Sequence, residues 1–169
     1  MLELKVVVLA DAANVREGLL SVIGGGLSVL RYPNYPVPLQ ADLALMFQIS
    51  DVVEGETHAI KVECVRVDAQ QRSVPDDPMF EVEARLVAGP SPEPAVRHRN
   101  APLAVPLHNV GVPTPGEYRV SVSVDGAVLG SVSFEALLVP DAPNPFGPPE
   151  DEAFNRDAEA EQAQLDPES

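Results

Sequence analysis

The chain has 169 residues, which is room for one domain with an appendage and too little for a multi-domain enzyme. A net charge of −15 argues against nucleic acid or an anionic membrane as a partner, because both are bound through clustered cations. The single Cys excludes an intrachain disulfide and a multi-thiolate metal cage.

The first predicted strand covers residues 2 to 10, an apolar run that Glu3 and Lys5 interrupt. The run is too short and too charged for the core of a signal peptide, and no other apolar segment is long enough to span a membrane. We therefore expect a cytoplasmic protein, a location that fits the lone Cys64.

Two short strands are predicted next, at residues 19 to 23 and 27 to 30, with Gly24, Gly25 and Gly26 between them. A glycine loop that cradles phosphate needs a helix after the glycines, but here a strand follows. We predict a tight turn or bulge at the glycines rather than an anion site.

Residues 31 to 36 read Arg-Tyr-Pro-Asn-Tyr-Pro and are predicted to form a loop. Tyr32 and Tyr35 are candidate interaction residues, because Tyr combines rigid contact area with a polar tip. The alternative is that both rings cover the end of the fold. Either Tyr-Pro bond is a candidate for the cis form.

Alternation of apolar and polar residues predicts three longer strands. The positions expected to face the core are Leu39, Ala41, Leu43, Leu45, Phe47 and Ile49, then Ile60, Val62 and Cys64, then Phe80, Val82, Ala84 and Leu86. Cys64 is accordingly predicted to be a buried, inert thiol. The phase reverses at Val65 and Val67, which predicts a kink near Cys64.

Residues 116 to 139 are predicted to form a β-hairpin around Asp125-Gly126. A two-residue loop there would place Val122 opposite Leu129 and mix the two faces. We therefore predict a three-residue loop, residues 124 to 126, with Gly126 in the left-handed conformation and Val122 opposite Val128.

With a further strand near residues 101 to 107, these runs predict an all-β, antiparallel sandwich of about eight strands in residues 1 to 139. Residues 140 to 169 differ abruptly, being Pro-rich and then acidic, with nine acidic residues and Arg156 for a net charge of −8. We expect this tail to be disordered or a short helix, and Phe154, one of its few large apolar residues, is a third interaction candidate.

The stretch LADAANVREGLLSVIGGG at residues 9 to 26 resembles the opening of a family of small bacterial, largely actinobacterial, β-sandwich proteins known only as a domain of unknown function. PTPGEYRV at residues 113 to 120, continued by Val124-Asp125-Gly126 and Leu129-Gly130, is similar to the late hairpin of that family and of immunoglobulin-like domains. The resemblance covers residues 1 to 139 and implies an immunoglobulin-like sandwich. It implies no activity or ligand.

Two acidic groups are candidates for a calcium site: Asp51, Glu54 and Glu56 in one predicted loop, and Asp76 with Asp77 in another. Carboxylates on adjacent loop tips of a sandwich can bind Ca²⁺, although this spacing does not match an EF-hand. The alternative, which we favour, is that they are solvated turn residues.

Catalytic signatures are missing from the sequence. His58, His98 and His108 are scattered without zinc-binding spacing, and His108 is expected to be a surface residue at a strand end. There is no Gly-x-Ser-x-Gly elbow, and no Ser, His and Asp set indicates a triad. We predict no catalytic residue, no metal site and no cofactor.

The leading functional hypothesis is a non-enzymatic module that presents loops or an edge strand to a protein partner, with the acidic tail as a tether, solubiliser or recognition segment. A sandwich that binds Ca²⁺ or a small ligand is the second hypothesis, and a hydrolase is the third. The edges of a sandwich also allow homo-oligomerisation, for which the sequence fixes no number of copies.

Overall fold

The computed structural model describes residues 1–50, 54–70, 72–73, 78–89 and 98–140. These residues contain no helix, and therefore no helix long and apolar enough to cross a membrane. The strands are β1 (Leu2–Ala10), β2 (Ala12–Arg16), β3 (Leu19–Ile23), β4 (Val29–Tyr32), β5 (Val37–Pro38), β6 (Asp42–Ser50), β7 (Thr57–Val67), β8 (Phe80–Val87), β9 (His98–Pro106), β10 (Gly111–Val112), β11 (Gly116–Val124) and β12 (Ala127–Leu138).

Two main sheets face each other across one hydrophobic core. One has the order β1-β6-β9, and the other has the order β4-β12-β11-β7-β8. Both sheets contribute to the same apolar cluster, so the predicted all-β sandwich is confirmed. The strands outnumber the expectation because β2, β5 and β10 carry no alternation. Among the strands of the described residues, β4 and β12 are the only parallel neighbours.

The predicted core positions are largely confirmed. The odd residues from Leu39 to Ile49 are all buried, as are Ile60, Val62 and Cys64. The inward residues of β8 are half-buried and its outward residues are exposed, as expected for a strand at the edge of a sheet.

The predicted kink near Cys64 is wrong. β7 pairs with β11 without a register shift, from Ile60 opposite Val124 to Val67 opposite Glu117. Val67 departs from the alternation, because it is buried although Lys61, Glu63 and Val65 on the same face are half-buried, and its backbone bridges to Ser73.

The loop of the β11–β12 hairpin also differs from the prediction. Val124 pairs with Ala127, which leaves Asp125 and Gly126 as a two-residue loop. Both residues have positive φ, 51° and 85°, as a type I′ turn requires. The predicted three-residue loop is therefore wrong, although the left-handed Gly126 is confirmed.

A β-bulge reconciles the short loop with the hydrophobic pattern. Ser123 lies opposite Val128, whereas Val122 lies opposite Gly130, so Leu129 is the extra residue of β12. From Gly130 onward, the bulge returns the apolar residues of β12 to one face and its polar residues to the other. As a result Val128 points to solvent, instead of facing the core opposite Val122.

Candidate functional site

A second hairpin, formed by β2 and β3, lies outside the two main sheets. Arg16 pairs with Leu19, and the intervening Glu17 and Gly18 have φ of 53° and 76°, which makes a type I′ turn. The sequence pattern predicts β3 but not β2 or its pairing with β3. The Glu17-Gly18 pair was the available signal, because a left-handed glycine often closes a two-residue loop.

The hairpin covers the outer face of the three-stranded sheet. Ala10 and Ala44 are fully buried there, although they alternate along their strands with core residues. The hairpin contacts β6 and β9, and the side chains of Val22 and Val8 both adjoin Gly25. At this end the sandwich therefore has a third layer.

A buried carboxylate ties the hairpin to this sheet. Asp42, the one polar residue buried among the described residues, accepts a hydrogen bond from the Ala13 N–H through Oδ2 at 2.8 Å. His108 Nε2 lies 2.9 Å from its Oδ1, but this contact is not aligned as a hydrogen bond. His108 is half-exposed, as predicted for a strand end, and serves as a cap over the carboxylate.

The two ends of the segment that carries the hairpin are fixed as well. The N–H groups of Gly26 and Leu27 both donate to the Leu9 carbonyl, at 2.8 and 3.1 Å. A Cβ at Gly24 would lie 1.9 Å from Asp11 Oδ2, so only glycine fits there, and its φ of 61° is left-handed. The chain bends at Gly24 and leaves the strand there, which is consistent with the predicted turn or bulge.

The side of this hairpin that points away from the sheet leaves large apolar residues in solvent. Leu19 and Ile23 are 70% and 69% exposed. They lie on one face of β3, with Ser21 between them, and opposite residues of β2 share that face. We call this surface the hairpin face; it consists of Ala12, Asn14, Arg16, Leu19, Ser21 and Ile23.

A histidine between two carboxylates lies at the other candidate position, beside the β11–β12 turn. His58 Nδ1 is 2.7 Å from Asp125 Oδ2, and its Nε2 is 3.7 Å from Glu56 Oε1. Asp125 Oδ1 also accepts the Ala59 N–H at 2.9 Å. The hydrogen bond with His58 is the main cause that holds the pKa of Asp125 below its ordinary value, and the bond from the Ala59 N–H adds to the effect.

This cluster ties a turn to the neighbouring strand. Among the described residues, no Ser or Thr hydroxyl bonds to a histidine ring, so His58 and Asp125 are not joined by a nucleophile there. The contacts of His58 with Asp125 and of His108 with Asp42 were not predictable from the sequence, because each joins residues far apart in the chain.

The two tyrosine candidates pack into the end of the sandwich. Tyr32 is buried, and its hydroxyl donates to the Leu39 carbonyl at 2.7 Å. Tyr35 is half-buried and meets Tyr32 edge-to-face, with ring centroids 5.7 Å apart. The Tyr35-Pro36 bond is cis, one of the two bonds predicted as candidates. The third candidate, Phe154, lies outside the described residues.

Cys64 is fully buried, as predicted, and burial raises the pKa of its thiol to about 12. The calcium candidates are only partly placed, because Asp51, Asp76 and Asp77 lie outside the described residues. Within the part of the chain that the structure describes, no three His, Cys, Asp or Glu side chains come close enough together to hold a metal ion.

The outer face of the five-stranded sheet carries an open groove of about 430 Å³ along β7 and β8. Lys61 contacts Glu81 at 2.9 Å and Glu63 at 3.3 Å, and these carboxylates raise its pKa. Glu83 and Arg85 line the same groove. Ala59 and Ala84 line it as well, but the groove is open to solvent and lacks the enclosure of a typical small-ligand pocket.

The fold and these sites define a β-sandwich with an added surface hairpin. The chain belongs to a family of unknown function, DUF6941, which matches residues 5–137. No curated protein matches the sequence.

Among solved structures, the chain is similar to part of the Pseudomonas fluorescens alkylpurine DNA glycosylase AlkC bound to DNA containing an abasic site analog. The identity is 15%, the match covers 80% of this chain and 30% of that chain, and the TM-score is 0.38. The chain thus spans less than a third of that protein, and a likeness at this level carries no inference about function.

Proposed function

We propose that this protein is a non-enzymatic protein-interaction module whose binding surface is the hairpin face. The observation that supports the proposal is the exposure of Leu19 and Ile23 on a hairpin that is anchored at both ends and by Asp42. Burial of each such side chain contributes about 1.5–3 kcal/mol. A folded partner that covers them would gain this energy without first ordering the hairpin.

The surroundings of these two residues suit a protein partner. Polar side chains, including Asn14, Ser21 and the exposed Arg16 and Glu17 at the tip, interrupt and border the apolar positions. An apolar surface with a polar rim is typical of protein–protein contacts. The partner should therefore present a complementary apolar surface to the hairpin.

A matched pair of variants tests this proposal. The double variant Leu19→Thr/Ile23→Thr makes the hairpin face polar, and the β-branched Thr remains compatible with a strand. Val128→Thr is the control, because Val128 is equally exposed, at 69%, on the other main sheet. Tagged proteins would be purified from the native host, and each recovered protein would then be titrated against the purified variants.

A direct partner that binds the wild type and Val128→Thr equally, but the hairpin variant at least about tenfold more weakly, supports the proposal. A partner that binds all three alike overturns the assignment of the hairpin face. Thermal unfolding of the variants checks that the sandwich itself is unchanged.

We further propose that the tail acts as a tether or solubiliser, that the sandwich is immunoglobulin-like, and that the protein is cytoplasmic. The net charge of −8 in residues 140 to 169 supports the role of the tail. The two sheets around one core support the immunoglobulin-like sandwich, and the free buried thiol supports the location. Truncation after residue 140 should leave partner binding intact if the tail only solubilises, and cell fractionation checks the location.

A further inference from the structure

The outer strands of the two main sheets differ in how they are protected from pairing. β1 has a register shift at Lys5, β9 carries Pro102 and Pro106, and β4 has four residues and is followed by Pro33. Bulges, prolines and shortness all discourage the addition of another strand. In the part of the chain that the structure describes, β8 has none of these features.

β8 is a regular edge of eight residues. It pairs with β7 in continuous register from Thr57 opposite Val87 to Cys64 opposite Phe80, and it has no second strand neighbour in the described chain. It contains no proline. Its inward side chains are half-buried, so a further strand would complete their burial.

The direction of the free backbone groups follows from the hydrogen bonds at the end of β8. Ala88 donates its N–H to the Glu56 carbonyl at 2.9 Å and accepts the Gly55 N–H at 2.8 Å. Even-numbered residues therefore face β7 with their backbone polar groups, because these groups alternate in direction along a strand. The odd-numbered residues from Glu81 to Val87 present theirs to the open edge.

The charges on the same residues select one partner and one register. Glu83 and Arg85 make no hydrogen bond or ion pair with any described residue, whereas the neighbouring Glu81 is bound to Lys61. If two copies of β8 pair antiparallel with Ala84 opposite Ala84 of the other copy, each Glu83 lies opposite an Arg85. A register centred on residue 85 opposes Arg85 to Arg85, and one centred on residue 83 opposes Glu83 to Glu83, which is unfavourable. The latter also sets Glu81 opposite Arg85, but Glu81 is already paired with Lys61.

We propose that β8 pairs antiparallel with β8 of a second copy of this chain, with Ala84 at the two-fold axis, to join the two five-stranded sheets into one. Residues Glu83 and Arg85 form two reciprocal hydrogen-bonded pairs, and Glu81 pairs with Val87. Val82 then meets Leu86 of the other copy on the core side. This surface is separate from the hairpin face, so the two proposals stand or fall independently.

The dimer should be weak, with a Kd on the order of micromolar to millimolar, because pairing one strand buries less area than a standard interface. The net charge of −15 opposes association over long distances. Measurements belong at about 0.15 M salt, where repulsion beyond roughly 8 Å is screened while the directly opposed charges still interact.

Charge reversal on the full chain tests both the surface and the register. In the Glu83→Arg variant, the introduced guanidinium lies opposite the native Arg85 of the other copy. In the Arg85→Glu variant, the introduced carboxylate lies opposite the native Glu83, so each single variant opposes like charges at both pairs. Sedimentation equilibrium over concentrations up to about 1 mM should show each variant alone dimerising at least about tenfold more weakly than the wild type.

Two combinations should restore the dimer. The double variant Glu83→Arg/Arg85→Glu exchanges the charges and regains complementarity, and an equimolar mixture of the two single variants should form a heterodimer with opposite charges at both positions. Thermal unfolding confirms that each variant is folded; Glu83→Arg brings a cation towards Lys61, and the double variant controls for this change.

The proposal is overturned if the wild type stays monomeric up to about 1 mM. It is also overturned if the single reversals leave the dimer unchanged, since association would then use another surface. Failure of both the double variant and the mixture to regain association would overturn the register.

Discussion

Asp42 and Ala13 are joined by a hydrogen bond, 2.8 Å from the backbone nitrogen to Oδ2, that links the surface hairpin to the middle strand of the three-stranded sheet. An isolated two-stranded hairpin is marginal in water. The rigidity of the hairpin face therefore depends on this contact and on the apolar layer beneath it.

Replacing Asp42 should loosen the hairpin more than the core. We expect Asp42→Ala to destabilise the hairpin by about 1–3 kcal/mol, because the Ala13 N–H loses its acceptor. Hydrogen exchange should accelerate in residues 12 to 23 before it does in β11. His108→Ala is the control, since it leaves the Ala13 hydrogen bond in place, and equal acceleration in both variants would contradict the assigned role.

Gly126 should be harder to replace than Gly111. A Cβ at either glycine would meet no atom within 4 Å, but only Gly126 has a positive φ. We expect Gly126→Ala to lower the free energy of unfolding by about 1–2 kcal/mol and Gly111→Ala to change it little. Chemical unfolding measures both, and similar losses would mean that the turn conformation is not the cause.

Asp125 should make stability depend on acid pH. Its pKa is lowered in the fold, so its contribution is present above the pKa of the unfolded chain, about 4, and is lost as the pH falls further through the folded value. Asp125→Asn keeps the turn, since Asn tolerates positive φ. The difference in melting temperature between wild type and Asp125→Asn should therefore shrink between pH 5 and pH 2; a constant difference would contradict this.

Removal of the hydroxyl should lower the stability of the protein at Tyr32 but not at Tyr35. Tyr32→Phe removes a buried hydrogen bond to Leu39 and should destabilise the protein by about 1 kcal/mol or somewhat more. The buried hydroxyl of Tyr35 has no partner among the described residues, so Tyr35→Phe should be neutral or stabilising. Urea unfolding compares them, and a greater loss from Tyr35→Phe would contradict the packing described.

Cys64 should resist thiol reagents while the protein is folded. The thiolate is the reactive form, and burial raises the pKa of this thiol to about 12. We expect labelling at pH 8 to be slow in native buffer and complete within minutes in denaturant. Equally fast labelling in both conditions would show that β7 opens readily.

Alternation made the core predictable because a strand places every second side chain on one face. This is why the inward residues from Leu39 to Ile49 and the exposed charges of β8 could be read from the sequence. Alternation did not predict the bulge at Leu129, because a single extra residue changes the phase without leaving any mark in the composition.

The candidate site was less predictable because it depends on contacts between distant segments. Asp42 occupies a polar phase of β6 and would reach solvent in a two-layer sandwich; it is buried because the hairpin adds a layer. Residues 12 to 16 lack an alternating pattern, so the exposed Leu19 and Ile23 looked like part of an ordinary strand. The histidine–carboxylate pairs likewise form only after folding.

The chain leaves the three-stranded sheet at Leu9 and returns beside the same residue, where the amide of Gly26 bonds to its carbonyl. The segment between these two points begins and ends at the same place, so the path of the chain from β1 to β4 does not depend on its length. The length of this segment can therefore change without moving β1 or β4, provided that whatever replaces the hairpin still covers Ala10, Ala44 and Asp42 on the outer face of the sheet.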